Sequence, residues 1–142
     1  MDKETLIIEM SNFLNSISRR YPIKLAYLFG SMARGDNNNM SDIDVAIILE
    51  HKYEAMEEAF TIGEIIDLAQ AKFNKKVDIV PMEKTSVLFK YLIVKDGIVL
   101  IDCYERGSIE SLIIREYFDF KYYSDIYDEA LLSRYKEQKG GK

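Results

Sequence analysis

One stretch constrains this chain more than any other: Asp42-Ile43-Asp44-Val45-Ala46-Ile47-Ile48-Leu49. Its alternation of Ile43, Val45, Ile47 and Leu49 with the residues between them predicts a strand. Side chains at i and i+2 of a strand share a face, so Asp42 and Asp44 point the same way, roughly 6–7 Å apart at their backbones. Adjacent carboxylates repel, and a divalent cation relieves that repulsion; oxygen ligands suit Mg²⁺ best. Upstream, the apolar run Leu25–Phe29 predicts a second strand that stops at Gly30. Gly30 lets backbone pass close to a ligand, and Ser31 reads as the N-cap of a short turn through Met32, Ala33 and Arg34. Such a turn aims N–H groups at an anion, with the Ser31 hydroxyl and the Arg34 charge beside them. Phosphate donors at one end and metal-binding carboxylates at the other describe a nucleoside triphosphate site.

Two other phosphate or metal motifs fail on the same residues. Gly30 and Gly35 have P-loop spacing, but Asp36-Asn37 follow where Lys-Ser/Thr is required. A calcium loop beginning at Asp36 needs Gly at its sixth position and Glu at its twelfth, where Ser41 and Ile47 stand. The string Gly30-Ser31, ten residues, Asp42-Ile43-Asp44 instead resembles the signature of the nucleotidyltransferase superfamily typified by DNA polymerase β. The fuller pattern G-S-x-A-R-G…S-D-I-D is similar to the minimal nucleotidyltransferases, small prokaryotic proteins often paired with a HEPN partner.

Length and composition set the frame for this site. At 142 residues the chain is read as a single domain, 1–142, with a two-layer core and no need of staples. A net charge of −5 argues against broad electrostatic binding to nucleic acid. The single Cys103 forms no intrachain disulfide, and no apolar run reaches membrane-spanning length, so the expected location is cytoplasmic.

Helical periodicity fills the rest. Residues 3–19 place Ile7, Met10, Leu14 and Ile17 on one stripe, with Leu6 and Phe13 beside it. The only histidine, His51, stands in a short loop without a partner histidine or cysteine and reads as a surface residue. From Glu54 to Phe73, the residues Ala55, Ala59, Ile62, Ile66, Ala69 and Phe73 recur at helical steps and predict a buried stripe. Val77–Val80 predict a strand closed by Pro81, and Thr85–Lys95 a helix with Val87, Leu88, Tyr91 and Leu92 inward. Asp96-Gly97 predicts a turn into a last strand, Ile98–Ile101. Helical spacing resumes at Ser108, and six of the ten tyrosines follow residue 103. A terminal helix of that kind usually packs on its own core, with docking of a partner as the alternative. Lys136–Lys142 reads as a frayed tail.

Asp78 is the odd member of its strand, because a carboxylate among buried apolar residues is costly unless paired or metal-bound. A salt bridge to Lys75 or Lys76 is one explanation. The resemblance supplies another: the superfamily draws a third acid from a neighbouring strand, and Asp78 matches that order.

The resemblance, which covers about residues 1–105 and leaves 106–142 as a helical extension and tail, implies the rest. The fold would be α/β (α+β), a small mixed sheet flanked by helices. Asp42, Asp44 and Asp78 would be catalytic and would hold one or two Mg²⁺ ions. Gly30, Ser31, Arg34 and Ser41 would bind the nucleotide, with ATP the family expectation. Arg34 would stabilise the leaving pyrophosphate or bridge to an acid on the partner. The activity implied is that of an antitoxin transferring AMP to a tyrosine of a HEPN ribonuclease toxin. Neutralisation by binding alone, and adenylylation of a small molecule such as an aminoglycoside, are the alternatives; the chain has no evident acceptor domain for the latter.

Overall fold

A computed structural model describes residues 1–36 and 42–140. The helix α1 (Lys3–Ser16) starts at Asp2, whose side chain accepts from the Thr5 N–H at 2.7 Å, and so satisfies one of the donors a helix start leaves open. Strand β1 (Ile23–Phe29) leads into the four-residue α2 (Ser31–Arg34), and β2 (Ile43–Leu49) returns antiparallel beside β1. The long α3 (Ala55–Phe73) ends on Asn74 in the left-handed conformation and crosses to β3 (Val77–Pro81), parallel to β2. A 3₁₀ turn, α4 (Val87–Asp96), β4 (Ile98–Ile101) and α5 (Arg106–Gly140) complete the chain. The sheet order is β3-β2-β1-β4, mixed as expected, with β4 antiparallel to β1.

The sheet is covered on both faces, which corrects the expected two-layer core. Ala26, Leu28, Val45, Ile47, Val77 and Ile79 face α1 and α3, burying Leu6, Met10, Leu14, Ile65 and Phe73. Leu25, Tyr27, Ala46 and Ile48 face the other way, onto Met82, Ile93 of α4 and Ile113 of α5. The central strands thus have no solvent face, and their unbroken apolar runs follow from that. Truncating a side chain as enclosed as Leu14 or Ile65 costs about 2–5 kcal/mol.

Several helix faces differ from the periodic reading. In α1 the buried residues are Leu6, Met10, Phe13 and Leu14, while Ile7 and Ile17 are only partly buried. In α3 the stripe begins at Ile62 and includes Ile65; Ala55 and Ala59 are exposed, because the first turns of the helix overhang the sheet. In α4 only Ile93 is buried, and Leu88 and Leu92 face outward. The helix α5 meets the core through Ile109, Ile113 and Tyr117, whose ring stacks on Tyr91 at 3.8 Å. Beyond that contact it carries Phe120, Tyr122, Tyr123, Tyr127, Leu131 and Tyr135 in solvent, so packing on its own core is not what its aromatic half does. Nor is 136–140 a frayed tail: the helix continues to Gly140.

Two tethers fix the base of α5. The buried Tyr27 hydroxyl donates to Glu110 Oε1 at 2.9 Å, and Arg106 bridges Glu110 and Asp102 at 3.0 and 2.8 Å. Burial, then the Glu110 hydrogen bond, raises the Tyr27 phenol above its ordinary range. Among the described residues no helix is long and apolar enough to cross a membrane.

Candidate active site

The site lies where β1 ends and β2 and β3 begin. Asp44 is the register partner of Phe29 on β1 and of Asp78 on β3, so the three form one row across the sheet. Register partners on neighbouring strands share a face, and the strands lie about 4.8 Å apart. That face is the α4 side, since Ala46, Ile48 and Val80, two or four residues on, pack there. Asp42 precedes β2 by one residue and is half-buried. The structure thus brings Asp42, Asp44 and Asp78 to one end of the sheet.

Their electrostatics are those of clustered acids that nearby cations neutralise only in part. Burial, followed by the charges of Asp78 and Asp42, pushes the Asp44 carboxyl above the usual carboxylate range; Lys76 and Arg34 offset part of this. Lys76 Nζ lies 3.7 Å from Asp42 Oδ2, so the lysine beside the third acid pairs with the first instead. Among the described residues Asp78 has no ion-pair partner. It is also exposed, which corrects the expected cost of burying it: its side chain points into the open end of the site.

Gly30 stands against this row with φ +77° and ψ −157°, a conformation that side-chain-bearing residues avoid. A Cβ at Gly30 would fall on Asp44 Oδ2 and lie 3.3 Å from its Cγ. The helix α2 begins at Ser31 with Gly30 in the N-cap position, so Ser31 is its first residue and not its cap. The N–H groups of Ala33 and Arg34 close on Gly30 O and that of Gly35 on Ser31 O, and a helix start leaves the N–H groups before them without intrahelical partners. Arg34 is half-exposed and pairs with Asp36 at 3.2 Å. Ser41 lies outside the described residues.

A hard divalent cation fits this donor set. The groups are carboxylates, the most enclosed of them is destabilised as an anion by burial and then by its acidic neighbours, and Gly30 keeps the space beside it open. Among the described residues no three acidic, thiol or imidazole groups close into a ready cage. An open arrangement suits Mg²⁺, which takes one or two carboxylates and fills its remaining positions with waters and substrate phosphates.

Sequence reasoning missed one wall of the site. Phe89 packs edge-on against Phe29 at 5.4 Å, and with Leu92 it stands exposed beside Gly30 and Arg34. Helical spacing placed Leu92 in the core, and no sequence signal marks an apolar residue held open next to a polar site.

Comparison with known proteins identifies the family and the fold. Residues 12–106 match the family model described as polymerase beta, nucleotidyltransferase. The protein adenylyltransferase MntA of Aphanizomenon flos-aquae (strain 2012/KM1/D3) is 32% identical over 108 residues, covering 71% of this chain and 72% of that protein. Among solved structures, a toxin–antitoxin with AMP-PNP superposes with a TM-score of 0.64 at 19% identity, over 87% of this chain and 96% of the other. A tri-AMPylated Shewanella oneidensis HEPN toxin in complex with MNT antitoxin gives 0.65 at 18% identity, over 91% and 98%. At these identities the solved structures speak for the fold. The family model spans the sheet and the whole row of acids, the MntA relative covers most of both chains, and the chain therefore belongs to the polymerase beta nucleotidyltransferase family, among its minimal, MntA-like members.

Proposed function

We propose that this protein is a Mg²⁺-dependent adenylyltransferase that moves AMP from ATP to a tyrosine hydroxyl of a HEPN ribonuclease toxin, acting in the cytoplasm as its antitoxin. The observation that carries the reading is the register of Asp44 with Asp78, with the Gly30 turn pressed against Asp44. The acceptor is inferred from the relatives: one is named a protein adenylyltransferase, and one similar fold was solved with an AMPylated HEPN toxin. The domain reading goes with it: a catalytic core of about residues 1–105 and a helical extension over 106–142. The exposed aromatic half of α5 gives a partner protein an apolar surface to hold.

Each residue has a place in the transfer. Gly30 and Ser31 bind the β/γ end of the triphosphate through backbone N–H groups and the Ser31 hydroxyl, and Arg34 faces the charge that collects on pyrophosphate. Ser41 adds a hydroxyl at the same end. Asp42 and Asp44, joined by Asp78, would hold Mg²⁺, which supplies the positive charge that lets carboxylates and triphosphate share the site. Asp78, exposed and without an ion-pair partner among the described residues, takes the proton of the attacking hydroxyl. The phenol oxygen forms a bond to the α-phosphorus, the α–β bridging bond breaks, and pyrophosphate leaves with that electron pair. Positioning and charge do most of the work. Tyrosine suits the role, since its phenol deprotonates near pH 10, far more readily than an aliphatic hydroxyl. A phosphate added to the toxin places negative charge where RNA must approach.

Intact-mass spectrometry of the toxin after incubation with this protein, ATP and Mg²⁺ tests the proposal. AMP-sized increments are expected, and Asp42→Asn with Asp44→Asn should abolish them. A toxin silenced without any increment, and equally silenced by that double variant, would move the assignment to neutralisation by binding alone.

A further inference from the structure

Beside the row of acids stands a lysine. Ile43 and Val77 are the first register partners of β2 and β3, so Asp42 and Lys76 stand opposite each other one residue earlier. The Ile43 N–H donates to Lys76 O at 3.0 Å, which fixes the lysine backbone at that position. From there Lys76 Nζ comes to 3.7 Å from Asp42 Oδ2. Its charge also offsets part of what burial and the acids Asp78 and Asp42 do to Asp44. Arg34, the other cation acting on Asp44, pairs with Asp36 at 3.2 Å, so among the described residues Lys76 is the cation held on Asp42.

We infer that Lys76 competes with the divalent cation for Asp42, and so selects the form in which that cation enters the site. The inference rests on the divalent-cation reading of the three acids and adds to it the residue that governs loading. Mg²⁺ bonds an oxygen ligand at about 2.0–2.1 Å. An ammonium held against the same carboxylate repels that ion and must withdraw or bear the repulsion. The Lys76 side chain is 73% exposed, so it withdraws into water without disturbing a packed neighbour. Toward a triphosphate the sign reverses. The complex of Mg²⁺ with ATP is a net anion, and Lys76 attracts it. One lysine thus disfavours the bare ion and favours the ion that arrives on its nucleotide.

Shifts of opposite sign for the two ligands are the test. Wild type, Lys76→Gln and Lys76→Arg are titrated with Mn²⁺ alone, followed by the paramagnetic signal of the free ion, and with Mg·ATP by calorimetry. Lys76→Gln should bind Mn²⁺ about three- to tenfold more tightly, and Mg·ATP about two- to fivefold more weakly. Lys76→Arg keeps the charge and should stay within about twofold of wild type for both. A merely structural contact would move both ligands in the same direction. Mn²⁺ affinity unchanged or weaker in Lys76→Gln overturns the inference and reduces the contact to a solvated surface pair. A gain for Mg·ATP as large as the gain for Mn²⁺ overturns it too. In either case the transfer reading stands. An Asp42→Asn, Asp44→Asn double variant that binds Mn²⁺ as well as wild type overturns the cation reading itself.

Discussion

The Cβ that Gly30 lacks would fall on the carboxylate of Asp44. Turn and acid are therefore built as one object: the backbone bends through a glycine-only conformation so that the Asp44 carboxylate keeps its position. Gly30→Ala should lose about 1–3 kcal/mol of stability from backbone strain alone. It should also depress transfer far more than any fall in melting temperature explains, because the new methyl displaces Asp44. Rate and melting curves on the same sample check this; a variant with wild-type turnover breaks the link between the two residues.

Replacing Asp42 and Asp44 together by Asn should abolish transfer and leave the fold intact. Neither belongs to the two apolar clusters, and removing charge from a mutually repelling set takes away an unfavourable interaction. Circular dichroism beside a transfer assay decides; wild-type turnover in the double variant refutes the assignment.

Asp78 should behave differently. If it takes the proton of the attacking hydroxyl, Asp78→Asn keeps ATP affinity within a few-fold and loses turnover by about 10²–10⁴. Calorimetry with ATP, paired with single-turnover rates, reads both quantities. Retained turnover would reduce Asp78 to a surface acid.

Tyr27 offers a test away from the chemistry. Tyr27→Phe removes its hydrogen bond to Glu110 and should cost about 0.5–1.5 kcal/mol. The phenol holds its proton more tightly folded than unfolded, so its contribution is complete below pH 10 and is lost as pH rises beyond it. Denaturant melts of both proteins between pH 8 and pH 11 should show the gap between them narrowing toward the alkaline end.

The exposed half of α5 should matter to a partner and not to the core. Tyr127→Ser with Leu131→Ser should leave the melting temperature of the isolated protein within about 2 °C, since both side chains are largely solvated. Complex formation with the HEPN toxin should weaken at least tenfold, measured by interferometry. An unchanged affinity would place the interface elsewhere.

What was legible in the sequence was whatever depends on local chemistry. The alternation around Asp44 marked β2, and the Gly30-Ser31 turn marked the end of β1. Asp96-Gly97 marked the start of β4, where a Cβ on Gly97 would strike Ile93 O and lie 3.3 Å from Leu28 O. What was not legible depends on neighbours. Periodicity says that Leu88 and Leu92 share a face, but not that α4 turns a different face to the sheet. It marks Ala55 and Ala59 as apolar, but not that their turn of α3 overhangs the sheet. Burial of Asp78 was inferred from its apolar neighbours, whereas the open end of the row exempts it. The reach of α5 past the contacts of Tyr117 and Phe118 with Tyr91 depends on how far the neighbouring elements extend, which no stretch of the helix encodes.

The parallel pairing of β2 with β3 bears on how the protein acquires its site. The β1–β2 pair is antiparallel and close in sequence, so it can assemble from contacts between neighbours along the chain. Asp78 joins only after the 19-residue α3 has crossed the sheet and docked, a closure of the kind that comes late in folding. A chain halted before that step would hold Asp42 and Asp44 without the third acid. The row of carboxylates is thus a certificate of completed folding: turnover, which needs the third acid, reports that β3 has docked.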